Sequence, residues 1–170
     1  MARPLTPSHY QERIEENRKL VEELPFIRLD RWVDGKTVPD DKFECTEIDY
    51  LPPGWRNIAI DMFREIKKYL LEHGGQEALD KFRIEQLKEK FGSIRCYYWP
   101  DEDGISEIIQ KYEWQSEITC CECGKPATRM SKGWICPYCD DCGKPDAQYV
   151  PIDEPNQEGL SKATDEALGW

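Results

Sequence analysis

The cysteines between positions 120 and 145 are the residues of this sequence best placed to do chemistry. The phrase Cys-x-x-Cys-Gly-Lys-Pro occurs twice there, beginning at Cys120 and again at Cys139. With 15 residues between the first pair and the second, the cysteines have the spacing of a four-cysteine zinc site. The repeat therefore predicts one Zn²⁺ ion with four thiolate ligands, which are Cys120, Cys123, Cys139 and Cys142.

A tight backbone bend explains the form of the repeat. A Cys-x-x-Cys turn places two thiolates on one side of the chain, where both can reach one tetrahedral ion. Gly124 and Gly143 let the chain leave each bend with a positive φ, and the proline two residues later prevents a helix or an inner strand. Each repeat is predicted to be one zinc knuckle. Four thiolates leave no position for water, so the zinc is expected to be structural and not catalytic.

Four further cysteines lie outside the repeat. Cys136 also forms a Cys-x-x-Cys with Cys139, but glycine follows Cys142 and not Cys139, so Cys139 and Cys142 are the better knuckle. A disulfide framework is the alternative, but the N-terminal sequence has no apolar stretch of signal-peptide length. We therefore expect reduced thiols and a cytoplasmic protein. The repeat assigns no role to the remaining cysteines, which are Cys45, Cys96, Cys121 and Cys136.

The elements that must position the site are predicted to form an α+β body over residues 1–118. Apolar residues recur at helical spacing in three stretches, and the first two are followed by breaks at Pro25 and Gly74-Gly75. The predicted helices span 7–24, 56–72 and 105–117.

Residues 82–99 are predicted to be a β-hairpin that turns at Gly92-Ser93. The second half, Ile94 to Trp99, is rich in β-branched and aromatic residues. The first half is ambiguous, because its apolar residues are spaced as in a helix but also fit a bulged strand.

Residues 119–146 are predicted to be the zinc ribbon, and 147–170 an acidic, flexible tail. Short strands are expected at 127–130 and 133–136, with Trp134 covering one side of the metal. So small a ribbon cannot build a core alone, and zinc is expected to supply about 10 kcal/mol of its folding free energy. The predicted fold class is thus α+β, a small helical and β-hairpin domain with a C-terminal four-cysteine zinc ribbon.

Net charge favours a protein partner over nucleic acid. The chain carries a net charge of −11, and basic residues outnumber acidic ones only in the weakly positive stretch 51–100. Nucleic-acid binding remains an alternative, with Tyr97 and Tyr98 available for stacking. The charged residues of the predicted hairpin, such as Lys88, Lys90 and Arg95, could alternatively form solvated ion pairs between its strands. The candidate contacts to a partner are Lys88, Lys90, Arg95, Arg129, Lys132 and Trp134.

Enzymatic activity is not expected. The 2 histidines are in separate helical contexts, His9 within the first predicted helix and His73 just after the second, and there is neither a glycine-rich phosphate loop nor a nucleophile elbow. The 34 acidic residues would form clusters by chance, so a scattered carboxylate site stays open. No apolar run is long enough to span a membrane.

Three motifs together resemble a known family. They are Pro53-Gly54-Trp55-Arg56, the stretch from Ile84 to Tyr97 (IEQLKEKFGSIRCY), and the ribbon CxxCGKPAT followed by SxGWIxPxCDxC. Their order resembles a family of small, uncharacterised zinc-ribbon proteins of bacteria, phages and prophages, over about residues 52–143. The family has Cys or His as fourth ligand, and Cys142 matches that position.

The resemblance implies zinc and a bacterial or phage origin, and it transfers no activity. The preferred function is therefore a non-enzymatic module that binds another protein, plausibly a host or defence factor met in the host cytoplasm. Two alternatives are a nucleic-acid-binding zinc ribbon and an acidic surface that mimics nucleic acid. The sequence leaves the oligomeric state open.

Overall fold

The computed structural model describes residues 7–152 of the chain. Within that part, helices are combined with small antiparallel sheets, which confirms the predicted α+β class. The helices are α1 (Pro7–Glu23), α2 (Arg56–Lys81) and α3 (Asp103–Glu117). The strands are β1 (Asp30–Val33), β2 (Lys36–Pro39), β3 (Arg83–Lys90), β4 (Ser93–Trp99), β5 (Arg129–Ser131), β6 (Pro137–Tyr138) and β7 (Tyr149–Pro151).

The second helix is longer than the sequence predicts. The break expected at the glycine pair occurs at Gly75, which adopts φ 65° and ψ −160°. Helical conformation resumes after this residue and continues to Lys81, so the element extends past the predicted end at residue 72. Gly75, with its positive φ, is thus a kink at which two helical segments meet.

The β3–β4 hairpin settles the ambiguity of the first half in favour of a strand. Ile84 pairs with Tyr98 but Gln86 pairs with Tyr97, so the extra residue between them is a β-bulge. The bulge shifts the alternation by one residue and brings Leu87 to the inner face opposite Cys96. A bulged strand therefore explains the spacing that also fits a helix.

One hydrophobic cluster joins the body to the ribbon. The buried face of α2 packs with the inner face of the hairpin and with α3, around Trp55, Phe63 and Ile94. Cys120 and Cys139 belong to the same cluster. The ribbon thus shares its buried side chains with the body and does not hang from it as a separate appendage.

The ribbon strands lie a few residues beyond their predicted positions, and a third strand joins them. In the sheet, β5 is central and pairs with β6 on one side and β7 on the other. Residues of β7 belong to the stretch predicted as a flexible tail, but Met130 pairs with Val150 and the two share a small apolar cluster. The rest of the predicted tail, from residue 153, lies outside the described residues.

Candidate metal centre and hairpin surface

The four cysteines of the two knuckles meet at one point. Their sulfur atoms all lie within 4.8 Å of one another, and Cys123 Sγ is 3.6 Å from Cys139 Sγ. A tetrahedral Zn²⁺ with Zn–S bonds of about 2.3 Å would separate its ligands by about 3.8 Å. The cluster therefore has the size and donor set of a site for one four-coordinate metal ion, and the structure brings together all four predicted ligands.

Both knuckles have the local geometry that the repeat predicts. Gly124 and Gly143 adopt positive φ values of 77° and 105°. Each bend also turns backbone N–H groups toward sulfur: Lys125 donates to Cys123, and Asp141 donates to Cys139. Hydrogen bonds of this kind stabilise the negative charge that a thiolate ligand carries.

The thiols of the cluster differ in acidity. Burial alone would raise the pKa of Cys139, but the Asp141 N–H and the neighbouring thiols donate hydrogen bonds to its sulfur and lower this pKa to about 7. Burial raises the pKa of Cys142, and its hydrogen bonds to the other thiols act in the same direction. One thiolate is thus available near neutral pH, and a bound metal would displace the remaining protons.

The first knuckle sits on the turn that precedes α2. The Gly54 N–H donates to the Cys121 carbonyl at 2.8 Å, and Trp55 Nε1 donates to the Thr119 carbonyl at 2.9 Å. A methyl group on Gly54 would lie 2.7 Å from Cys121 C and 2.8 Å from Cys121 O, and closer still to Cys120 O. The Pro-Gly-Trp motif, which from the sequence indicated only the family resemblance, therefore seats the metal site on the body.

The second knuckle is held by Arg129. Its Nη2 donates to the Cys142 carbonyl at 2.7 Å, and its guanidinium lies 4.0 Å from the centre of the Tyr149 ring. Thr128 Oγ1 adds a hydrogen bond of 2.7 Å to Asp140 Oδ1. Arg129, predicted as a contact to a partner, thus makes these contacts within the ribbon.

The two thiols left over by the repeat lie beside the cluster without joining it. Cys121 and Cys136 are both buried and their thiols are hydrogen-bonded to each other. The Cys121 N–H also donates to the Pro137 carbonyl at 2.9 Å, which ties the first knuckle to β6. Assigning the second knuckle to Cys139 and Cys142 agrees with this arrangement.

The remaining predicted contacts fall on two neighbouring surfaces. Lys88 and Lys90 point outward from β3, whereas Lys132 and Trp134 lie at the turn between β5 and β6. Trp134 was expected to cover the metal, but its side chain is 74% exposed. Arg95 is restrained, because its guanidinium contacts Ser93 Oγ and lies 3.8 Å from the Glu113 carboxylate.

The outer side of the hairpin carries cations paired with aromatic rings. Arg83 lies 4.5 Å from the ring centre of Trp99, and Lys88 lies 5.4 Å from that of Tyr97. At the turn, Lys90 lies 5.6 Å from the ring centre of Phe91. We call this surface the hairpin face and define it by the residues Arg83, Lys88, Lys90, Phe91, Tyr97 and Trp99.

Sequence reasoning missed three members of the hairpin face, Phe91 among them, and misplaced another residue. Tyr98, expected to stack, points inward: its ring centre is 5.8 Å from that of Phe82, and its hydroxyl donates to the Glu102 carbonyl. Arg83 and Trp99 were not named. The alternation of side chains along β4 could have identified Trp99, because it is two residues beyond Tyr97 and must lie on the same side of the strand.

Three further side chains that could bind a metal or react lie outside the metal cluster. The His73 ring stacks on Tyr69, with ring centres 4.0 Å apart, and its Nδ1 lies 2.8 Å from the Tyr69 carbonyl oxygen. Burial raises the pKa of Cys96 to about 12, which keeps that thiol protonated. Cys45 is exposed. Neither cysteine belongs to the metal cluster.

Comparisons with protein-family models, with curated proteins and with solved structures found no match. The resemblance to bacterial and phage zinc-ribbon proteins therefore stays a prediction. Among the described helices, none combines the length and the apolar character needed to cross a bilayer.

Proposed function

We propose that the metal is zinc and that it is structural, so that the protein acts by binding and not by catalysis. Four thiolates are the donor set that zinc takes in closed sites, and they fill its tetrahedral coordination sphere. The protein would keep this site only where thiols stay reduced, as in a cytoplasm. A phage or prophage origin is part of the same proposal and rests on the motif resemblance.

We further propose nucleic acid as the partner, and the hairpin face as the site. The observation that carries this proposal is the set of three cation–ring pairs, two on the outer side of a two-stranded sheet and one at its turn. A cation can meet a phosphate while a ring offers its face to a base, which is the combination that single-strand-binding surfaces use. This reverses the preference for a protein partner that net charge alone suggests.

Three cations of the hairpin face are not engaged in ion pairs. Within the described part of the chain, Arg83, Lys88 and Lys90 lie beyond ion-pair distance of any carboxylate, whereas ten other cationic side chains are paired with one. Exposed charges farther away than about 8 Å are largely screened at physiological salt. Acidic residues elsewhere on the chain are therefore screened from a phosphate at the hairpin face, which would meet these three cations together with the nearby carboxylates of Glu89 and Glu113.

A protein partner is the second candidate, and a different surface favours it. On the β1–β2 hairpin, Trp32 is 73% exposed and Val33 beside it is also exposed. A two-stranded hairpin is marginally stable on its own, and an exposed tryptophan is a frequent anchor of protein interfaces. Binding to a host or defence protein would use this hairpin.

Binding of labelled DNA and RNA oligonucleotides, followed by fluorescence anisotropy through a salt series, tests the nucleic-acid proposal. Replacing both Lys88 and Lys90 by glutamate should weaken binding about 10- to 100-fold, because two attractions to phosphate become repulsions. It should also reduce the slope of log K against log salt by about 1.4 for single strands.

The double variant Lys36→Glu/Lys42→Glu is the matched control. Both lysines are exposed and lie on or next to the other hairpin, and the net charge changes by the same amount. This control should bind as the parent protein does. Absence of binding at low salt, or equal losses in the two double variants, would refute the hairpin face as a nucleic-acid site and leave the protein partner.

A further inference from the structure

Resting on the proposed function, we propose that the hairpin face and the tip of the zinc ribbon form one track for single-stranded nucleic acid, in which Tyr97, Trp99 and Trp134 each stack on a base. The ribbon tip is the turn at residues 131–134. This inference specifies the form of nucleic acid and gives the zinc ribbon a part in binding it.

The two rings on β4 are spaced for unstacked bases. Tyr97 and Trp99 are 44% and 45% exposed and lie two residues apart on the same side of the strand, which separates them by about 7 Å. Bases in a duplex follow each other at about 3.4 Å, with their faces covered by their neighbours. Only a strand whose bases are separated can place one base on each ring.

A cation also lies beside each ring, where it can contact the phosphate of the same nucleotide. Arg83 lies against Trp99 and Lys88 against Tyr97, with distances of 4.5 Å and 5.4 Å to the ring centres. The cations hold the rings on the outer side of the sheet, where they are open to solvent. Ring and cation therefore repeat along the strand with the period of a nucleotide.

The ribbon tip continues the track beyond the hairpin turn. A methyl group on Gly92 would lie 3.1 Å from Met130 Sδ and 3.3 Å from Ile135 Cγ2, so the hairpin turn is seated directly on the ribbon sheet. Trp134 precedes Ile135 in the chain and is the most exposed aromatic side chain of the ribbon. Its neighbour Ile135 therefore places the ribbon tip close to Gly92, at the end of the hairpin.

The zinc site anchors the turn that carries this last ring. Trp134 lies in the turn between β5 and β6, and β6 leads directly into the second knuckle at Cys139. Ser131 Oγ donates to the Trp134 carbonyl at 2.5 Å, which closes the turn. With 7 residues in β4, a track from Trp99 to Trp134 would accommodate about four nucleotides.

Anisotropy titrations with labelled oligo(dT), oligo(U) and a DNA duplex of equal length test this inference on the zinc-loaded full chain. Single strands should bind at least tenfold more tightly than the duplex. Tyr97→Thr keeps a strand-forming residue without the ring, and Trp134→Ala removes the most exposed ring. Each change should weaken single-strand binding about 5- to 150-fold, the range measured for loss of one stacking residue.

Trp32→Thr is the matched control, because it removes an equally exposed tryptophan from the other hairpin and should leave binding unchanged. Thermal melts establish that each variant is folded. If Tyr97→Thr is unfolded, the Trp134→Ala variant, changed at an exposed turn, tests the inference in its place. Equal affinity for duplex and single strand, or a Trp134→Ala variant that binds normally, overturns the inference.

The outcomes separate this inference from the proposed function. If duplex and single strand bind equally and the Lys88/Lys90 variant is impaired, the proposed function stands and the stacking track is wrong. If no nucleic acid binds at low salt, both fail, and the protein partner at the β1–β2 hairpin is the candidate that remains.

Discussion

Replacing Gly54 by alanine should destabilise this protein and weaken its hold on the metal. Gly54 lies outside the left-handed region of backbone conformation. Alanine at such a position normally stabilises a protein by about 0.4–1 kcal/mol, because it restricts the conformations of the unfolded chain. Here the added methyl group would overlap the Cys120 and Cys121 backbone, which cannot move without displacing the first knuckle. The structure therefore predicts the opposite sign.

The size of the effect follows from the contacts that must be lost. Overpacking of a rigid site costs about 1–3 kcal/mol. Separation of the knuckle from the turn breaks the Gly54 and Trp55 hydrogen bonds to it, each contributing about 1 kcal/mol. The net loss is about 2–4 kcal/mol, which for a chain of this length lowers the melting temperature by about 4–16 °C.

Thermal unfolding followed by circular dichroism measures the loss, and competition with a chromophoric chelator measures metal affinity. Gly133→Ala is the control: this glycine has φ 80° and nothing within 4 Å of the added methyl group, so only about 1–2 kcal/mol of backbone strain is expected. A Gly54→Ala variant that melts at or above the parent temperature, with unchanged metal affinity, would refute the proposed seating of the site.

Two further perturbations test the packing. Removing the metal with a chelator should lower the stability of the body as well as the ribbon, because both share one core; unchanged near-ultraviolet circular dichroism of the body would contradict this. Asn17→Ala should lower the free energy of unfolding in urea by about 2–4 kcal/mol. The reason is that the buried Asn17 amide donates to the Phe43 carbonyl at 2.9 Å and accepts from Arg56 at 2.8 Å. A loss below about 0.5 kcal/mol would show that these bonds contribute little.

Local patterns in the sequence were sufficient to predict the two knuckles and the β3–β4 hairpin. The ligands of each knuckle are three residues apart, and the glycine after each pair is the only residue type that takes its positive φ without strain. The strand character of 94–99 is likewise a property of adjacent residues. The bulge at residue 85 could be inferred as one of two alternatives, because one inserted residue converts strand alternation into an apparent helical spacing.

Features set by distant residues could not be predicted in this way. Gly54 contacts Cys121 across 67 positions of the chain, and nothing near it in the sequence identifies the partner. Met130 recruits Val150 into the ribbon sheet although acidic and proline-rich sequence surrounds that strand. Arg129 was assigned to the surface on its charge, whereas the carbonyl of Cys142 and the ring of Tyr149 decide its place.

Cobalt(II) substitution tests the central claim most directly, because the visible spectrum of cobalt reports both the number of thiolates and the coordination geometry. Titration of the metal-free protein should reach one cobalt per chain with the spectrum of a tetrahedral four-thiolate site, and zinc should displace it. Cys136→Ser should leave that spectrum unchanged, and Cys139→Ser should abolish it. A spectrum with solvent in the coordination sphere, or one altered by Cys136→Ser, would contradict the closed four-cysteine site.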